Sequence, residues 1–169
     1  MSRGLGDVYK RQLMGMLYGG KINRSSIDKD NAINLAQSYL KNIGYKNMAN
    51  TYYAINNNVC VINFAYKKDD VTYYSDLIKV GVSMDNGKIV SLEAQGYLTN
   101  HIKRKVFNCK LTKEQAQSKL SKNLKVISSK RCVIPKESGN EVNCYEFRCK
   151  SNDTKAVSYT HLTLPTNSL

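Results

Sequence analysis

Residues 71–104 read VTYYSDLIKVGVSMDNGKIVSLEAQGYLTNHIKR, and the way this stretch turns back on itself decides the fold. Ile78, Val80, Val82 and Met84 alternate with Lys79, Gly81 and Ser83, the period of a half-buried strand. Beyond Asp85-Asn86-Gly87, Val90, Leu92 and Ala94 alternate with Ser91, Glu93 and Gln95. An Asn-Gly pair favours a two-residue hairpin loop. That register sets Met84 against Ile89 and Val82 against Ser91, which turns Val90 and Leu92 to the wrong face. One more loop residue brings Val82 opposite Val90, Val80 opposite Leu92 and Ile78 opposite Ala94. The sequence therefore predicts a type I turn closed by Gly87 in the left-handed conformation, as a bulge.

Working outward, Asp28 is a good N-cap for a helix whose apolar face is Ala32, Leu35, Ala36, Tyr39, Leu40 and Ile43, with Gly44 as its stop. Strands follow at residues 51–55 and 59–66 around an Asn56-Asn57-Asn58 turn, and a polar turn at 67–70 leads into the hairpin. The pattern then restarts. Leu111-Thr112-Lys113-Glu114-Gln115-Ala116 repeats Ile27-Asp28-Lys29-Asp30-Asn31-Ala32 in register, with Thr112 and Gln115 as a capping box. Ala116, Leu120 and Leu124 continue its apolar face, and strands are expected at about 125–134 and 141–149. The fold class is α+β: units of one helix packed on an antiparallel sheet, α-β-β-β-β, the second cut short after two strands.

The central stretch also carries a resemblance. Tyr74-x-Asp76-Leu77-Ile78-Lys79-Val80, then Asp85-Asn86-Gly87, then Gly96-Tyr97-Leu98-x-Asn100-His101-x-x-Arg104, resembles the PepSY repeat of YpeB-type spore germination proteins. Ser75 stands where that family usually has Pro. Ile134-Pro135 followed by Glu141-x-x-Cys144-Tyr145-Glu146-Phe147 is similar to the next repeat. The positions carried by the resemblance, without an assigned role, are Tyr74, Asp76, Lys79, Gly87, Tyr97, Asn100, His101, Arg104, Pro135, Tyr145 and Glu146. It implies a non-catalytic interaction module that stabilises or restrains the spore cortex-lytic enzyme. It further implies a place outside the cytoplasm of the spore, anchored to a membrane through an N-terminal part that precedes this fragment. A propeptide-like inhibitor of some other extracytoplasmic peptidase is the alternative.

Both ends read differently from the middle. Asp7-Val8-Tyr9-Lys10-Arg11-Gln12 can be encoded by GATGTGTATAAGAGACAG, whose reverse complement in another frame gives Val157-Ser158-Tyr159-Thr160-His161. Such a pair is expected of translated transposon-adapter DNA, and scars of that kind stand outside fold reasoning. The expected organisation is an adapter-derived scar at 1–12, a linker at 13–26, a first repeat at 27–108, a truncated second repeat at 109–156 and an adapter-derived tail at 157–169. The tail is rich in strand formers up to Pro165, so it is expected either to stay loose or to pair with the open sheet edge. The excess of 26 Lys+Arg over 13 Asp+Glu survives removal of the ends, because Arg3, Lys10, Arg11 and Asp7 leave 23 against 12.

That basic balance favours an anionic cell-wall or membrane surface as a secondary partner. Nucleic acid is disfavoured, because no binding motif is present and most tyrosines occupy strand positions where packing accounts for them. No apolar run approaches the roughly 20 residues of a membrane span. Five cysteines, Cys60, Cys109, Cys132, Cys144 and Cys149, form no C-x-x-C pair, and His101 is the sole histidine outside the tail. No metal or cofactor site is expected. Cys60, Cys132 and Cys144 lie in apolar strand runs where Cys acts as a small hydrophobe, while a disulfide of Cys132 with Cys144 or Cys149 stays open. An enzyme would have to use His101 with a cysteine or serine, and nothing in the spacing sets one beside it. His101 is expected just after a strand, as a surface or capping residue, and Asp76 as a structural hydrogen-bonding residue.

Overall fold

A computed structural model describes residues 26–104, 109–136, 138–151 and 159–165. The expected scar at 1–12, the linker apart from Ser26, residues 157–158 and the chain beyond Pro165 lie outside the described residues. Two compact units are present. One comprises Met1–Lys67 with Asp76–His101, the other Lys68–Ser75 with Ile102–Leu169.

The first unit opens with helix α1, Lys29–Asn42. Asp28 Oδ1 accepts the Asn31 amide at 2.8 Å, as an N-cap should. Gly44, at φ +100°, ends the helix: its N–H donates to Lys41 O and that of Tyr45 to Leu40 O. This is the paired C-terminal bonding that a left-handed glycine permits. Ala32, Ala36 and Leu40 are wholly buried along one stripe. Leu35 and Ile43, expected on that stripe, are instead about 40 % exposed at its margins (42 % and 37 %). The two alanines let the helix approach the sheet closely, which confines burial to the centre of the face.

Strands β1 (Met48–Asn56), β2 (Val59–Lys68), β3 (Val71–Ser83) and β4 (Ile89–Glu93) follow. The β1–β2 connection is Asn57-Asn58 and the β2–β3 connection Asp69-Asp70, all four with positive φ between 48° and 61°. Two consecutive left-handed residues make the tight turn whose twist suits a hairpin, and Asn and Asp tolerate it best after glycine. The core of this unit comprises Leu40, Cys60, Ile62, Phe64, Ile78, Val80, Val82 and Leu92 with their neighbours.

In the hairpin Gly87 has φ +72°, as predicted. Its loop is one residue longer than the sequence indicated. Ser83 N–H donates to Lys88 O and Gly87 N–H to Ser83 O, leaving four residues in the loop. Val82 consequently faces Ile89, not Val90, and the register shift falls between Gly81 and Val82. That shift restores the expected pairing of Val80 with Leu92, and Ile78 and Ala94 are both buried. The longer loop brings Met84 O within reach of the Ser26 and Ile27 amides, 2.7 and 3.0 Å away. A short helix α2, Gln95–Asn100, comes next where a strand end was expected, so His101 is a helix C-cap.

In the second unit Thr112 and Gln115 form the predicted capping box on helix α3, Lys113–Ser118. The helix stops before Leu124, which opens strand β5, Leu124–Pro135. Strand β6, Glu141–Ser151, pairs antiparallel with β5. Val71–Tyr73 of β3 pair with Arg131–Val133 of β5 in parallel, a ladder the antiparallel expectation lacked. Strand β7, Tyr159–Pro165, adds antiparallel to the other side of β6, the pairing expected of strand formers beside an open edge.

Candidate functional site

The residues of the recurring pattern gather into polar clusters, each contained in one unit. In the first, Asp76 on β3 is wholly buried and its Oδ2 lies 2.6 Å from His101 Nδ1. Tyr97 stacks on the imidazole at 4.2 Å between centroids, and Tyr66 meets it edge-on at 4.7 Å. Tyr45 meets Tyr97 edge-on, with 5.0 Å between ring centroids. Burial, and then the Asp76 charge, raise the Tyr97 phenol above its usual range, so it remains a neutral ring and hydrogen-bonding group. Among the described residues no serine or cysteine hydrogen-bonds to His101. The ring and its carboxylate fasten the end of α2 to β3, and Asn100 Nδ2 caps the same turn on Gly96 O at 2.9 Å.

Gly96 shows how tightly that turn is pressed. A Cβ there would lie 3.0 Å from Leu77 O. Lys79 and Glu93 are opposite one another on β3 and β4 and form an exposed ion pair of 3.3 Å. Such a pair adds little stability at the surface.

The second unit holds two further clusters. Tyr74 Oη donates to Glu146 Oε2 at 2.5 Å, and Lys130 Nζ reaches Glu146 Oε1 at 3.3 Å while lying 5.4 Å from the Tyr74 ring centre. Glu146 is 95 % removed from solvent, and a buried carboxylate is tolerable only with partners of this kind. Burial, followed by the bond to Glu146, drives the Tyr74 phenol far above its usual range. Arg104 Nε and Nη2 each donate to Glu141 at 2.7 Å, a two-pronged pair, and the guanidinium sits 4.9 Å from the Tyr73 ring centre. That guanidinium holds the Glu141 carboxyl below its ordinary range. Pro135 ends β5 opposite Glu141, and Tyr145 packs beside Phe147.

The sequence reading had at least one member of each cluster but not the pairing. It gave no role to Glu141, Lys130, Tyr66 or Tyr73, each of which completes a cluster. Opposite charge, at Arg104 with Glu141 and at Lys130 with Glu146, was the available signal. Among the described residues no group of three His, Cys, Asp or Glu side chains is placed to hold a metal ion.

Comparison with known proteins fits this geometry. The family described as YpeB sporulation, PepSY1 and PepSY2 domains, matches residues 12–107. The sporulation protein YpeB of Halalkalibacterium halodurans is 35 % identical over 133 residues, covering 79 % of this chain and 30 % of that protein. YpeB of Bacillus subtilis is 28 % identical over 134 residues, with 78 % and 30 % covered. The chain thus spans under a third of the length of these relatives. The solved C-terminal domain of Bacillus megaterium YpeB superposes with a TM-score of 0.83 at 25 % identity, over 92 % of this chain and 67 % of that one. With its PepSY-like α+β units and the polar clusters that fasten them, this chain belongs to the YpeB family of sporulation proteins.

Proposed function

We propose that the chain is a non-catalytic PepSY interaction module whose parent protein binds and stabilises the spore cortex-lytic enzyme. The observation that carries this reading is the use of the patterned polar side chains. Tyr74, Asp76, Lys79, Asn100, His101, Arg104 and Glu146 each bond to a partner within their own unit. They act as fold determinants and do not converge on a reacting centre, so what the module offers another protein is backbone edge and surface. Strand β1 ends the order of the sheet, with Tyr52, Tyr53 and Ile55 exposed along it. An edge of that kind accepts an extended segment by strand addition.

The parent's place is outside the cytoplasm of the spore, held by a membrane anchor elsewhere in the protein. Among the described residues no helix is long and apolar enough to cross a membrane. The excess of lysine and arginine supports an additional attraction to anionic wall polymer or lipid. The test is co-purification of the tagged parent protein with the cortex-lytic enzyme from spore extracts, together with the enzyme's lifetime in cells lacking the parent. Association and a shortened lifetime are expected. An enzyme that neither associates nor loses stability would refute the reading.

A further inference from the structure

In the first unit a basic groove and an open sheet edge meet at one end of β1. Lys41, in the last turn of α1, and Lys46, just before β1, line a groove of about 350 Å³ with Gln37, Tyr45, Asn47 and Met48. No acidic residue lines it. Neither lysine forms an ion pair among the described residues. A cation in the last turn of a helix suits its dipole, which accounts for Lys41. Lys46 lies past the helix, and that explanation does not reach it.

Strand β1, MANTYYAIN, has no charged residue and no proline, devices that commonly blunt an edge strand. Its connection to β2 is two residues long, so Asn56 and Val59 are the hydrogen-bonded closing pair. Alternation from there turns the N–H and C=O of Tyr53 and Ile55 away from β2. Among the described residues no strand pairs with that side. The side chains of Tyr53 and Ile55, opposite Ile62 and Cys60, share the face of the core yet are exposed. A bulge at Thr51 bends the strand beyond them. Past the bulge, Gln37 Nε2 donates to Met48 O at 3.3 Å and occupies the acceptor at that end. A strand laid on β1 is therefore held at Tyr53 and Ile55 and leaves the edge near Met48, where the lysines begin.

Resting on the interaction-module reading above, we infer that β1 accepts an extended acidic segment of a partner protein. The segment runs antiparallel to β1, with apolar side chains beside Tyr53 and Ile55 and carboxylates near its C-terminal end, beside Lys41 and Lys46. Antiparallel pairing is the more stable kind, and it fixes this polarity because the segment's C-terminal end then lies at the Met48 end. Charge selects the occupant as well. A formal net charge of +13 repels a second copy of the chain and attracts an acidic one.

The full chain is titrated, by fluorescence anisotropy, with labelled acetylated peptides that alternate valine and threonine and end in two aspartates. Comparison peptides end in two lysines, or carry the aspartates at the N-terminal end. The aspartate-ended peptide should bind, and both comparison peptides should bind at least about tenfold more weakly. Lys41→Glu with Lys46→Glu should transfer the preference to the lysine-ended peptide. N-methylation of the peptide amides that face β1 should abolish binding, which tests edge pairing without altering the protein. Tyr53→Pro removes an N–H that β2 does not use, and should abolish binding with circular dichroism unchanged. Equal affinity for the three peptides would overturn the inference, as would a wild-type dimer lost in Tyr53→Pro. So would anionic wall polymer that binds as tightly and ignores Tyr53→Pro. Co-purification of the parent with the cortex-lytic enzyme that survives these three substitutions would keep the module reading and overturn this one. Peptide binding without co-purification would support the inference and refute only the assigned partner.

Discussion

Replacing Gly87 by asparagine, alanine and valine separates the backbone from the contacts in the first unit's hairpin. At φ +72° the residue sits in the left-handed region, which costs an ordinary L-residue about 1–2 kcal/mol. Asparagine is the least penalised of the three, and a β-branched side chain the most. Contact adds a second effect, because a Cβ at this position would lie 3.0 Å from Leu35 Cδ1. That methyl is the far end of a half-exposed side chain and can swing aside, so the backbone contribution dominates. The expected order of stability loss is asparagine, then alanine, then valine. Valine should lose at least about 1 kcal/mol and roughly 2 or more if its branch also strains the loop. The assay is urea denaturation of each variant, alone and combined with Leu35→Ala. If contact with Leu35 is minor, the losses add within roughly 0.5 kcal/mol. Valine without effect, or asparagine as costly as valine, would refute the left-handed assignment. Strong coupling to Leu35 would instead put the cost in the contact.

Helix α1 gives a contrast between two leucines. Leu40 is wholly buried and Leu40→Ala should lose roughly 2–5 kcal/mol in urea denaturation. Leu35 is 42 % exposed, and Leu35→Ala should lose about 1 kcal/mol or less; equal losses would contradict the position of the stripe. Acid stability tests the Arg104 pair. Because Arg104 holds the folded-state Glu141 carboxyl below its ordinary value, the pair stabilises above the unfolded glutamate pKa of about 4.3. That contribution is lost as pH falls from there through the lowered folded pKa. Arg104→Gln should therefore be less stable than wild type at neutral pH, with the difference shrinking across that window. Stability curves of the two proteins that stay parallel from pH 7 to pH 3 would show that the pair does not set the titration.

Local chemistry made much of the fold legible before any coordinates. Asp28, Gly44, Thr112 with Gln115, and Asn57-Asn58 act on backbone groups within a few residues of themselves, and each is found where its type predicts. The period-two runs placed β3 and β4 and buried the right faces. What escaped were features fixed by distant parts of the chain. The longer hairpin loop goes with Ser26 and Ile27 bonding to Met84 O, a contact across 58 residues in the case of Ser26. Helix α2 has no side-chain cap and contains Gly96, so nothing local announces it; its C-terminal turn is fastened by His101 on the buried Asp76. The cluster partners were equally out of range, since Tyr74 and Glu146 are 72 positions apart and Arg104 and Glu141 are 37. Resemblance supplied those residues as members of a pattern, and only the coordinates say which one each of them holds.

The hairpin loop has a consequence for how the chain ages. An Asn-Gly step deamidates when the glycine's backbone nitrogen attacks the asparagine side-chain carbonyl to close a five-membered succinimide. Here both reactants are engaged elsewhere. Gly87 N–H donates to Ser83 O at 2.9 Å, and Asn86 Oδ1 accepts the Lys88 amide at 3.0 Å. Ring closure would have to break both bonds, so isoaspartate at Asn86 should accumulate more slowly in the folded chain than in the urea-unfolded one. Equal rates would show that the loop opens freely. For a protein of sporulation, a turn that protects its own most perishable dipeptide gives the sheet a shelf life longer than its sequence alone would grant.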